Sequence, residues 1–125
     1  MKYLLDTHTF IWYFDQNVKL PDKMKGIVLN PKNAIYISTA SLCEIGIKIS
    51  IGKIDLFFEE LITRAENAGF VFLQIKKEYI QRILDIPFIH RDPFDRLLIA
   101  TAIYEQMTII TADDNIQKYD VAWVW

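Results

Sequence analysis

Short apolar runs alternate along this chain with stretches whose apolar residues recur every three or four positions. Tyr3–Leu5 reads as a short strand, followed by a helix in which Phe10, Ile11 and Phe14 share one face. Pro21 opens a second helix to about Leu29, and Asn30-Pro31-Lys32-Asn33 is a turn. Ala34–Ser38 (AIYIS) is rich in β-formers and predicts a strand. The next helix starts at about Ser41 and ends at Gly52. Leu56–Ala68 is amphipathic and stops at Gly69, a residue suited to a helix C-terminus. Phe70–Ile75 predicts a strand, Lys76–Asp85 a helix, and Phe94–Gln106 a helix apolar enough to be largely buried. Thr108–Thr111 (TIIT) and Val121–Val124 (VAWV) are the last expected strands. Strands separated by helices imply right-handed βαβ units, hence a three-layer α/β/α fold around a central, mainly parallel sheet. Ligands in such folds bind beyond the carboxyl ends of the strands.

Composition narrows the function classes. A chain of 125 residues is expected to close around one core, so residues 1–125 are read as one domain, without repeats or linkers. Apolar residues make up 52% of it, which excludes a disordered chain. No apolar run approaches the ~18 residues of a membrane span. The opening Met1-Lys2-Tyr3-Leu4-Leu5-Asp6 meets an acid too soon for a signal peptide. A single cysteine, Cys43, forms no intramolecular disulfide, and a reducing cytoplasm is the expected location. The net charge of −2 excludes a globally basic nucleic-acid binder, but not a nuclease with acids at its centre. Lys48, Lys53, Arg91 and Arg96 are candidates for a basic rim that meets phosphates; scattered surface charge is the alternative.

The candidate chemistry lies in four acids at the ends of expected strands. Asp6 stands where the first strand stops, and Asp113 two residues past the TIIT strand, with Asp114 beside it as a substitute. Glu44 is expected in the first turn of the helix after AIYIS, and Asp95 in the first turn after His90-Arg91-Asp92-Pro93. A parallel sheet brings all four to one edge. Packed carboxylates repel, and burial raises their pKa values; a divalent cation removes that conflict. Oxygen-only ligation selects Mg²⁺ or Mn²⁺ over zinc and suits phosphodiester hydrolysis. Each acid also has a purely structural explanation. Ser41-Leu42-Cys43-Glu44 matches a capping box, and Asp92-Pro93-Phe94-Asp95 matches a helix start with a cap and a first-turn acid. Asp6 suits a helix N-cap, and Asp113 a turn. Spacing alone fits a nuclease and other metal-assisted phosphotransferases equally.

Four segments carry a resemblance to a known family: LLDTHTFIW, SLCEIGIK with GKI, HRDPFDRLLIATA, and TIITADDNI. In this order they resemble the PIN-domain family, nearest its VapC-like toxin branch, over nearly the whole chain. HRDPFDRLLIA together with SLCEIGIK is the specific part. The resemblance implies a Mg²⁺- or Mn²⁺-dependent endoribonuclease acting as the toxin of a toxin–antitoxin pair. It assigns Asp6 and Asp95 as the firmest metal ligands, with Glu44 and Asp113 completing the catalytic site. Thr111 is implied to bond a ligand or water, and Asp92 to support the site from behind. It further implies an RNA substrate, an antitoxin whose C-terminal segment wraps the toxin, and a homodimer. The branch usually has Trp at Cys43, read as a packing position. His8 and His90 are read as structural groups, since hard cations do not ask for imidazole. Trp12, Tyr13 and Phe14 are read as mostly core. The competing readings are a PIN nuclease of RNA processing or DNA repair, and a PIN module with a dead site.

Overall fold

Five short strands lie side by side in the computed structural model, which describes residues 1–125. They are β1 (Lys2–Leu5), β2 (Ala34–Ser38), β3 (Val71–Leu73), β4 (Thr108–Ile110) and β5 (Trp123–Val124). Their order is β3-β2-β1-β4-β5, and every pairing is parallel. The connecting helices are α1 (Thr7–Asp15), α2 (Asp22–Leu29), α3 (Thr39–Ser50), α4 (Phe58–Asn67), α5 (Lys77–Ile83), α6 (Pro93–Glu105) and α7 (Asp114–Gln117). The expected parallel α/β architecture is therefore the observed one.

The period-two geometry of a strand divides the core. Tyr3 and Leu5 of β1 join Phe10 and Phe14 of α1, Met24 and Val28 of α2, and Leu61 and Ala65 of α4 on one face. Leu4, between them, joins Leu98, Ile99 and Ala102 of α6 on the other. Helix α6 is buried along Leu98–Ala102 without a break. Its lack of a polar stripe follows, because α3, α5, α7 and β4 all pack on it. Truncating Leu98 to Ala would cost about 2–5 kcal/mol. No helix is long and apolar enough to cross a membrane.

Element boundaries depart from the sequence reading in three places. Helix α3 begins at Thr39 rather than Ser41, because the Ser38 hydroxyl caps it, accepting from the Ala40 N–H at 3.0 Å. The outer strands are shorter than their apolar runs, β3 covering Val71–Leu73 and β5 only Trp123–Val124. The single-turn α7 has no counterpart among the expected elements; its four residues are too few for a periodic signal. Gly52 and Gly69 do end their helices, both with positive φ, 75° and 81°.

Candidate active site at the carboxyl edge of the sheet

Asp6 leaves the end of β1 and immediately caps α1. Its Oδ1 accepts from the Thr9 N–H at 2.8 Å, and its Oδ2 from the Thr111 hydroxyl at 2.5 Å. The Thr111 oxygen in turn accepts from the Asp113 N–H at 3.0 Å, which links the β1 and β4 ends. Asp6 is only 4% exposed, and no Lys or Arg pairs with it. Burial pushes its carboxyl above the usual aspartate range; the threonine hydrogen bonds and the nearby His8 counteract this only in part. The capping explanation is therefore correct for Asp6, and it leaves a buried carboxylate without a counter-charge.

Glu44 lies in the second turn of α3, not the first, because the helix starts early. The Ser41–Glu44 capping box consequently does not form. Glu44 Oε1 accepts from the Thr7 hydroxyl at 2.7 Å, and its Oε2 meets Lys48 Nζ at 2.9 Å. Thr7 also lies 3.1 Å from Ser41 Oγ. Thr7 was not singled out in the sequence, although it directly follows Asp6 in the opening motif. Cys43, read as a packing position, is exposed.

Asp92 is the N-cap of α6, accepting from the N–H groups of Phe94 and Asp95 at 2.9 and 3.1 Å. Asp95 makes no such bond. Its Oδ2 faces His90 Nε2 at 3.1 Å. Burial is the main reason its carboxyl is pushed up to about 6; the charges of Asp92 and Asp113 add to the rise, and His90 opposes it. Asp113 caps α7 through the N–H groups of Asn115 and Ile116 and is half-buried, whereas Asp114 is exposed. Of that pair, Asp113 is the acid whose charge reaches Asp95.

The topology thus brings Asp6, Glu44, Asp95 and Asp113 to one edge, in three hydrogen-bonded groups rather than one cluster. No three His, Cys, Asp or Glu side chains stand together in a ligating arrangement. The donor chemistry nonetheless fits a hard divalent cation: carboxylates and hydroxyls, with two acids held against their preferred ionisation by burial. The four cations read as a possible rim fall into different environments. Lys53 and Arg91 are exposed, and Lys48 is committed to Glu44. Arg96 is buried, donates to the Pro87 carbonyl and the Tyr119 hydroxyl, and stacks on Phe88; it meets no solvent-borne phosphate. Phe14 is buried, Trp12 and Tyr13 pack partly exposed against the core, and exposed His8 stacks on Trp12.

Parallel α/β sheets bind their ligands beyond the carboxyl ends of the strands, the edge at which these acids lie. The PIN domain family model matches residues 3–122, and the chain belongs to that family. Its fold is also that of several solved structures. VapBC2 from Rickettsia felis, bound to a DNA fragment from its promoter, aligns with a TM-score of 0.75 at 15% identity, covering 100% of this chain and 99% of that one. DNA-bound VapBC from Salmonella typhimurium gives 0.69 at 18% identity, covering 99% and 97%. A toxin–antitoxin complex from Klebsiella pneumoniae gives 0.64 at 20% identity, covering 98% and 96%. No curated protein matches the sequence.

Proposed function

We propose that this protein is a Mg²⁺- or Mn²⁺-dependent endoribonuclease that serves as the toxin of a toxin–antitoxin pair. The observation that carries the reading is Asp6, a buried carboxylate with neutral hydrogen-bond donors and no cationic partner. Asp6 and Asp95 would hold the ion directly, and Glu44 and Asp113 would complete its shell or reach it through water. A bound divalent ion supplies a Lewis acid and a water of lowered pKa for phosphodiester hydrolysis. Thr111 keeps Asp6 Oδ2 oriented, Thr7 does the same for Glu44 Oε1, and Asp92 fixes the helix start that presents Asp95. Of the four rim candidates, Lys53 and Arg91 are exposed and would meet RNA phosphates. The toxin role draws on the VapBC and toxin–antitoxin complexes that share the fold. It entails an antitoxin protein, a cytoplasmic setting and, by family habit, a homodimer built from one domain spanning residues 1–125.

The test is cleavage of labelled RNA by the purified chain, with Mg²⁺ or Mn²⁺ and with excess EDTA. Cleavage is expected only with metal; undiminished cleavage in EDTA, after contaminating nucleases are removed, sinks the mechanism. Induction without a partner is expected to arrest growth, and co-expression of the neighbouring small gene to relieve it. Unchanged growth and translation in the native host would remove the toxin role while leaving the nuclease. Metal binding without any RNA cleavage would point to a PIN binding module.

A further inference from the structure

Tyr119, buried beyond α7, gathers three groups of the His90–Arg96 segment around one hydroxyl. It lies 3.2 Å from the His90 backbone N–H, 3.1 Å from Arg96 Nη1 and 2.9 Å from His90 Nδ1. The first two are obligatory donors, and they take the hydroxyl's two lone pairs. Its own proton then has one partner within reach, the Nδ1 of His90. A protonated Nδ1 would leave two hydrogens facing each other in a buried site, a conflict that native packing avoids. So Nδ1 accepts, and the ring's single proton sits on Nε2, 3.1 Å from Asp95 Oδ2. Asp95 Oδ1 has no protein partner, and no buried side-chain polar atom is left without one, so Oδ1 is open to solvent.

We infer that Tyr119 and His90 are positioning residues. Tyr119 sets the His90 tautomer, His90 commits Asp95 Oδ2, and Oδ1 is thereby presented as the ligating oxygen. The inference rests on the reading of Asp95 as a metal ligand and extends it to two residues outside the acid set. It also explains a buried arginine: Arg96 is needed as the donor that takes one of the hydroxyl's lone pairs.

Two measurements test it. The first is long-range ¹H–¹⁵N NMR of the metal-free wild type, in which exposed His8 serves as the internal reference. His90 is expected to show an unprotonated Nδ1 and a protonated Nε2 in one fixed tautomer, while His8 shows exchange averaging. A protonated Nδ1 at His90, or an averaged ring, overturns the inference. The second is Mn²⁺ affinity by calorimetry. Tyr119→Phe is expected to weaken binding by about 10–100-fold, as loss of a group supporting a ligand does. Affinity equal to wild type in a folded Tyr119→Phe overturns it. If that variant does not fold, His90→Gln and His90→Leu decide. The glutamine keeps an N–H donor for Asp95 and should bind Mn²⁺ more tightly than the leucine; equal affinities overturn the inference. Asp95→Asn separates the two levels. Mn²⁺ binding indifferent to that change refutes Asp95 as a ligand, and the inference with it. Binding that depends on Asp95 beside a protonated His90 Nδ1 refutes only the positioning.

Discussion

Helix α6 carries a carboxylate at each end, Asp95 in its first turn and Glu105 at its last residue. The helix dipole favours the first and opposes the second by about 0.3–1 kcal/mol each. Their ionisation runs the other way. Asp95 is pushed up to about 6 by burial and neighbouring acids. Glu105 is held below the usual glutamate range, chiefly by the Tyr79 hydroxyl 2.6 Å away and also by Lys76 at 3.4 Å. Burial and partners outweigh the helix field at both ends. One carboxylate is supplied with a hydroxyl and a cation and supports the fold. The other is half-buried near Asp92 and Asp113, with His90 as its one facing partner. Under the proposed function, that asymmetry makes the amino end of α6 the end that would hold the ion.

The largest effect should come from removing the conflict. Asp95→Asn, nearly isosteric, is expected to reduce RNA cleavage and Mn²⁺ affinity together by ~100-fold or more, since even residues that only support a ligand cost ~10–100-fold. The metal-free variant should be more stable at neutral pH, by up to about 2–3 kcal/mol, since each unit of raised pKa opposes folding by ~1.4 kcal/mol. Asp6→Asn should move both quantities in the same directions. Thermal unfolding beside a cleavage assay decides: a variant less stable yet fully active makes Asp95 a helix-start residue, and the contrast within α6 loses its functional meaning.

The two ends should also separate by pH. A carboxyl with a raised folded pKa favours the folded state while both states are protonated, and that contribution fades as pH rises. For Asp95 the window runs from 3.8, its unperturbed value, to about 6. Glu105, with a lowered pKa, contributes above 4.5 and loses that contribution as pH falls further. Metal-free wild type should therefore lose stability between pH 4 and 6 relative to Asp95→Asn, measured by denaturant titration at each pH. Identical pH slopes in the two proteins would show that Asp95 is not strained.

At the other end, Tyr79→Phe should cost about 1.5–3 kcal/mol, the loss of a hydrogen bond to a charged group. RNA cleavage and Mn²⁺ affinity should stay at wild-type values, because Tyr79 lies in the α5–α6 packing, away from the acids at the carboxyl edge. Lost cleavage in a folded Tyr79→Phe would mean that the two ends are not independent.

The sheet was legible in the sequence because apolar runs such as Tyr3–Leu5 and Ala34–Ser38 are bounded by turns and separated by helical periodicity. The placement of the four acids followed from parallel topology alone. The details lost were those decided by a single cap or by contacts distant in sequence. The sequence pointed to Ser41 as the start of α3, whereas Ser38, at the end of β2, caps it, which moves Glu44 from the first turn to the second. Arg96 looked like a rim cation because its partner, Tyr119, lies 23 residues away. Thr7 and Tyr119 carry no local signal of their roles; each acts on a residue reached only through the fold. The groups tied to an acid by sequence spacing were visible; of those tied by tertiary contact, Thr111 alone was anticipated, and only through the family resemblance.

Glu44 gives the finest probe of the contrast, because it belongs to the acid edge by position and to the satisfied class by partners. Its Oε2 meets Lys48 at 2.9 Å in an i,i+4 arrangement, with the two side chains 10% and 30% exposed. Replacing Lys48 by Met keeps most of the stem's packing and removes the charge. Metal-free stability should drop by about 0.5–1 kcal/mol at low salt, the range for a partly exposed helical pair. The drop should shrink in ~1 M salt, where the Debye length falls to ~3 Å. If Glu44 completes the metal shell, Lys48 competes with the ion for Oε2, so Lys48→Met should gain more thermal stability from Mn²⁺ than wild type does. The comparison to make is the Mn²⁺-induced shift in Tm for the two proteins at matched ionic strength. Equal shifts would mean that the ion never reaches Oε2, leaving Glu44 an ion-paired structural acid like Glu105 and the metal site to Asp6, Asp95 and Asp113.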